Sequence, residues 1–199
     1  MEHDEHPMIQ AVKKYLDKNS LTYQVTTVPP PSSSSSSTTS NTNNQNILIS
    51  LTLNGHNSSY RTYIDLKPTH DRCSVYVETP VKIPPDQRAR VTEYCMRVNY
   101  TLALGAFEVD FRDGEVRYRY AVDVEESALS FEMIRTQIMV PAATVDKFFP
   151  GLMAVTFANA NVEEAVNECR GGVPPTTTTT TTSSSSSSGG GVEGALSSQ

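Results

Sequence analysis

Apolar and polar residues alternate most regularly from Gly105 to Glu125, GAFEVDFRDGEVRYRYAVDVE. Phe107, Val109 and Phe111 alternate with Glu108, Asp110 and Arg112, and beyond Asp113-Gly114 Val116, Tyr118 and Tyr120 alternate with Arg117 and Arg119. A period of two sends successive side chains to opposite faces, so the pattern predicts two strands. Asp-Gly between such runs predicts a type I′ turn, with positive φ at both central residues. A two-residue turn sets Phe111 opposite Val116, Val109 opposite Tyr118 and Phe107 opposite Tyr120. On the other face Arg112 meets Glu115, Asp110 meets Arg117 and Glu108 meets Arg119. Opposed charges of opposite sign favour pairing by about 0.2–1 kcal/mol each. The ladder therefore reads as a solvated, self-neutralised surface and not as a catalytic carboxylate array.

The remaining elements follow from the same patterning. Met8, Ile9, Val12, Tyr15 and Leu16 fall on one face of a helix from Pro7 to Lys18, with Asn19 as its stop. An extended piece, Leu21 to Val28, precedes strands at Asn46–Asn54, Tyr60–Lys67 and Cys73–Thr79, joined by turns at Asn54-Gly55 and Pro68–Asp71. Consecutive strands with short turns predict an antiparallel meander. Pro84-Pro85 opens a second helix with Val91, Tyr94, Cys95 and Val98 on one face, Arg88, Arg90 and Arg97 elsewhere, and Asn99 at its end. After the hairpin, Ser130 is a helix cap, followed by an apolar stripe of Met133, Ile134, Ile138 and Val145. Pro141 should kink or break that helix, and Pro150-Gly151 should bend it again. Asn161-Val162-Glu163-Glu164 resembles a capping box for a short last helix.

Two stretches carry no such pattern. Pro29–Asn46 is PPPSSSSSSTTSNTNNQN, and the chain from Gly171 is rich in Gly, Pro, Thr and Ser. Neither holds enough apolar side chain to offset the entropy of ordering. The predicted organisation is a flexible start at 1–6, one α+β domain at 7–169 containing a disordered insert at 29–46, and a disordered tail at 170–199. A chain lacking 32–44 and 174–199 is accordingly expected to melt within about 5 °C of the full chain, as thermal denaturation would read.

Composition narrows the function classes. The 199 residues carry a net charge of −6, and no Lys/Arg stripe is present, so nucleic acid is not the expected partner. No uninterrupted apolar run approaches the roughly 20 residues that span a bilayer, so no membrane association is expected. The start MEHDEHPM has neither a secretory signal pattern nor the Arg-rich character of a transit peptide. The expected location is the cytoplasm, or an organelle if a true N-terminus precedes this one. Cys73, Cys95 and Cys169 are odd in number and far apart, which reads as free thiols in a reducing compartment.

Candidate chemistry is sparse. His3, His6, His56 and His70 all fall in the N-terminal stretch or in turns, where a nucleophile–His pair lacks a rigid support. No Gly-rich phosphate loop and no Cys/His zinc spacing occurs. His3 and His6 with Asp4 and Glu5 could weakly hold copper or nickel, but such a cluster at a chain end reads as incidental. Tyr118, Tyr120, Phe148 and Phe149 sit where a core needs them and read as packing. No catalytic, cofactor-binding or metal residue is assigned, and no cofactor is expected.

Two segments resemble a known family: ETPVKIPPDQRARVTEYCMRVNYTLALGAFEVDFRDGEVRYRY, Glu78 to Tyr120, and DKFFPGLMAVTFANANVEEAV, Asp146 to Val166. The Pro-led helix ending near Asn99, the Leu-x-x-Gly-x-Phe entry and the Asp-Gly turn resemble the YbjN-like family of bacterial sensory transduction regulators. The resemblance covers Met8 to Val166 with the insert skipped. It implies a fold similar to type III secretion chaperones, an antiparallel sheet with flanking helices in the order α-β-β-β-α-β-β-α. It also implies a non-enzymatic protein-binding module, an adaptor or chaperone-like regulator, whose partner is a protein or peptide. A homodimer through the helix at Pro85–Val98 is a further implication, although Arg88, Arg90, Glu93 and Arg97 make that side poorly apolar. The alternative is a small-molecule-binding or enzymatic α+β domain with a pocket between sheet and helices. A filled interior with an exposed apolar patch favours the first reading, and a deep cavity with converging polar groups the second.

Overall fold

Among the described residues six antiparallel strands form one sheet, the first four side by side in chain order and then the sixth and the fifth, and four helices accompany it. The computed structural model describes residues 5–28, 45–124 and 129–171. Along the chain these are α1 (Pro7–Lys18), β1 (Tyr23–Val28), β2 (Asn46–Asn54), β3 (Ser59–Lys67), β4 (Arg72–Lys82), α2 (Arg88–Asn99), β5 (Ala106–Val109), β6 (Glu115–Asp123), α3 (Phe131–Phe157) and α4 (Val162–Gly171). The α+β class and antiparallel sheet are as the sequence predicts. Two elements exceed the order that the resemblance implies, and the patterning places both: the extended piece, which pairs with β2 as the strand Tyr23–Val28, and the short last helix, α4. The insert, the tail and residues 1–4 lie outside the described residues, except that Asn46 already pairs with Val28 and α4 runs to Gly171.

The period-two pattern determines which face is covered. One row crosses the whole sheet as Tyr23–Leu51–Thr62–Val77–Tyr118–Phe107, buried from Leu51 onward. The neighbouring row, Gln24–Ser50–Tyr63–Tyr76–Arg119–Ala106, carries the polar face, where Arg117 lies 4.7 Å from the Tyr76 ring centroid and pairs with Glu108 at 2.9 Å. At Pro80 the β4–β6 register shifts, since proline has no N–H for the ladder, and the Thr79 hydroxyl donates to the Val116 carbonyl at 3.0 Å.

The hairpin differs from its predicted register by two residues. Phe107 opposes Tyr118 and Val109 opposes Val116, so both strands keep their expected faces. The loop has four residues, not two, because the Asp110 N–H donates to the Glu115 carbonyl and the Gly114 N–H donates to the Asp110 carbonyl, each at 2.8 Å. Gly114 has φ +80°, as expected, yet the turn is not type I′. Asp110 accepts from the Arg112 N–H at 2.8 Å, and Gly114 accepts from the Ile83 N–H at 2.8 Å, so local and tertiary bonds together hold the wider loop. Phe111 consequently leaves the apolar face and is 56% exposed. The ladder is redistributed too: Glu108 pairs with both Arg117 and Arg119, while Arg112 turns back to Asp110.

The helix boundaries of α1 match the pattern, with His6 Nδ1 accepting from the Met8 N–H and Asn19 at the C-cap. Helix α2 begins at Arg88, after a turn in which the Gln87 N–H donates to the Pro84 carbonyl. Ser130 caps α3 through the Met133 N–H, but Met133 itself is exposed and stands outside the buried stripe. Neither Pro141 nor Pro150 interrupts α3, contrary to expectation. At Pro150 the reason is visible. A proline frees the carbonyl four residues earlier, here that of Asp146, and the Asn57 side-chain amide donates to it at 2.8 Å. The Asp146 carboxylate accepts from the His56 and Asn57 N–H groups at 2.9 and 2.8 Å and from the Tyr60 hydroxyl at 2.9 Å. One residue of α3 thereby fastens the β2–β3 turn, where a side chain at Gly55 would collide with that carboxylate. With its prolines, α3 is long and apolar enough to cross a membrane; here Ile134, Ile138, Val145, Phe148 and Leu152 bury one side of it in the core.

Candidate functional site

The residues weighed for chemistry do not converge. His3 and Asp4 lie outside the described residues. His6 caps α1, Glu5 pairs with Lys13, His56 donates its N–H to Asp146, and the His70 ring bonds the Thr69 hydroxyl. Among the described residues, no three His, Cys, Asp or Glu side chains are grouped to hold a metal. Cys73, Cys95 and Cys169 are free and buried. Burial pushes the Cys73 and Cys95 thiols up to about 12, so neither is a nucleophile at neutral pH. Tyr118, Phe148 and Phe149 are buried and Tyr120 packs on the core, as their spacing predicts.

A groove on the helical side has a different character. Contacts between neighbouring elements hold its walls. The Asn99 side chain donates to the Phe107 carbonyl at 3.0 Å and accepts the Phe107 N–H at 2.7 Å, tying the end of α2 to β5 and occupying that sheet edge. The Tyr94 hydroxyl donates to the Phe148 carbonyl at 2.8 Å, and α3 meets α2 and α4 at Gly151, where a Cβ would strike the Tyr94 hydroxyl and the Cys169 sulfur. Arg90 reaches Asn159 and the Ala160 carbonyl, holding the link between α3 and α4, while Asn161 Oδ1 caps α4 through the Glu163 and Glu164 N–H groups.

Between these walls lie two open hollows of about 390 and 400 Å³ that share Thr101 and Arg170. The first is floored by Leu102, Val140, Ala143 and Phe148 and edged by Lys147. The second is bounded by Met96 and Tyr100, with Val166 beneath. Met96 is 62% exposed and Tyr100 94% exposed, so the groove adjoins large apolar side chains that the core does not use.

The arginines that the sequence places on the outer side of α2 are each engaged. Arg88 donates to the Ile83 and Phe111 carbonyls, Arg90 is committed to the α3–α4 link, and Arg97 pairs with Glu93 at 2.9 Å and with Glu163 at 3.8 Å. Beside the exposed Glu93–Arg97 pair stand two large apolar side chains, Met96 and Tyr100, that are exposed as well. Their signal was in the sequence, as large apolar residues off the Val91–Tyr94–Cys95–Val98 stripe. Arg170 and Val166 give none, because only the packing of α4 brings them to α2 and α3.

Comparison with known proteins adds one finding. A family model described as "YbjN: Putative bacterial sensory transduction regulator" matches residues 42–153, more than half of the chain, from before β2 into α3. No curated protein matches the chain.

Proposed function

The chain belongs to the YbjN family, and from that premise we propose that it is a non-enzymatic protein-binding module, an adaptor or chaperone-like regulator that engages its partner through the α2–α3–α4 groove. The observation that supports this reading is the exposure of Met96 and Tyr100 beside open hollows. Aromatic and methionine side chains are the types enriched where proteins meet, and a fixed wall lowers the entropy lost on docking. A pocket between sheet and helices has less support, since Leu51, Ile64, Tyr118 and Phe148 fill that layer.

Co-purification followed by mass spectrometry tests the proposal with matched variants. Met96→Glu/Tyr100→Glu places two charges on the groove without touching the core. It is expected to lose a set of proteins that wild type retains, while Thr26→Glu on the distant strand β1 keeps them. Identical recovery by all three chains would remove the groove as the interface.

A further inference from the structure

We propose that the groove selects an acidic partner segment, one in which carboxylates flank apolar side chains; this rests on the protein-binding reading above. Among the described residues eight of the sixteen lysines and arginines make ion pairs, among them Lys13 with Glu5, Lys67 with Asp65, Lys82 with Asp113 and Glu115, Arg112 with Asp110, and Arg117 and Arg119 with Glu108, while others such as Lys14 and Lys18 make none. Lys147 and Arg170 make no ion pair among the described residues; Lys147 has only the Phe148 ring, 5.6 Å away. What distinguishes these two charges is that both line one hollow together with Leu102, Val140 and Phe148, and no acidic side chain lines that hollow.

The chain as a whole carries a net charge of −6. An acidic segment is repelled by most of such a surface, so a groove edged by two unneutralised cations is where it would settle. The neighbouring hollow, which Arg170 also lines, sets two carboxylates, Glu93 and Glu163, against Arg97, so carboxylates of the partner are not drawn into it and its contribution is left to Met96 and Tyr100. Apolar side chains of the partner would occupy the floor of Leu102, Val140 and Phe148, with carboxylates reaching Lys147 and Arg170. The two charges lie at the rim, so the preference they create should fall with ionic strength.

The test uses the full chain and three fluorescein-labelled 12-residue peptides of alternating Leu and Glu, Leu and Gln, or Leu and Lys. By fluorescence anisotropy at low salt, the Leu/Glu peptide is expected to bind at least about tenfold tighter than Leu/Gln, and Leu/Lys weakest of all. Raising salt from about 0.05 to 0.5 M should shrink that preference, because the Debye length falls well below 10 Å. Lys147→Gln/Arg170→Gln should abolish it, and Lys147→Glu/Arg170→Glu should reverse it. Equal binding of Leu/Glu and Leu/Gln, or a preference that survives both double variants, would overturn the proposal. So would a gain in Leu/Glu affinity on removing 172–199, which would make the chain's own tail the occupant. If the charge-reversed variant still recovers the proteins that Met96→Glu/Tyr100→Glu loses, the acidic preference is wrong while the protein-binding reading stands.

Discussion

Gly114→Val is expected to destabilise the domain by about 3–5 kcal/mol, enough to leave a marginal fold largely unfolded. Two costs combine. At φ +80° a β-branched side chain crowds the backbone, a strain of about 1–3 kcal/mol. In addition, a Cβ at this position would be driven into the carbonyl of Ile83, whose N–H donates to the Gly114 carbonyl. Relief requires the hairpin loop to pull away from β4, which exposes Ile83 and breaks that bond. Denaturant melts of four variants provide the comparison. Phe107→Ala removes a ring that packs edge-on against both Tyr118 and Phe148, and should cost about 3–5 kcal/mol. Phe111→Ala, at an exposed loop position, and Arg117→Ala, on the open face, should each cost about 1 kcal/mol or less. A severe loss from Phe111→Ala would mean that the four-residue loop is wrong and the two-residue turn correct.

Asp146→Ala should be the most damaging polar substitution, at about 2–4 kcal/mol, since hydrogen bonds to an ionised acceptor contribute more than neutral ones. It leaves the His56 and Asn57 N–H groups and the Tyr60 hydroxyl without their acceptor, and it loosens the turn that satisfies the carbonyl freed by Pro150. The same contacts give a pH signature. Burial raises the Asp146 carboxyl pKa, but the N–H groups of Asn57, His56 and Ser58 and the Tyr60 hydroxyl outweigh it, so it titrates below its ordinary value. A depressed folded pKa contributes stability that is complete above the unfolded value of about 3.9 and is lost as pH falls through the folded value. Melting temperatures between about pH 2 and 7 should therefore fall more steeply on the acid side for wild type than for Asp146→Asn. Parallel acid limbs would show that Asp146 does not carry this linkage.

What could be read in the sequence was what repeats at short range. The α1 stripe, the alternation in β2, β3 and β4, and the Val91–Val98 face of α2 each depend on neighbours a few residues away, and each is buried as the pattern implies. The hairpin shows where this stops. A shift of two preserves both faces, so alternation cannot distinguish it, and Asp-Gly accommodates either loop. What decides is Ile83, on a different strand-to-helix connection. The prolines of α3 mislead for a similar reason: the group that makes Pro150 tolerable is Asn57, at the tip of a distant turn. The groove is less legible still. Met96 and Tyr100 are visible as misplaced apolar residues, but their nearness to Arg170 depends on how α4 packs.

The ends of the Ser/Thr/Asn-rich insert are direct neighbours, since Val28 pairs with Asn46 across β1 and β2. The free energy of closing a chain segment between two paired residues grows slowly with its length, by only about 0.6 kcal/mol for each doubling. Copying errors that lengthen or shorten a serine run at this point would therefore pass almost unseen by selection for stability. The segment between Val28 and Asn46 is a place where the gene can drift in length, and where a reporter domain with adjacent termini could be grafted without disturbing the groove on the helical side.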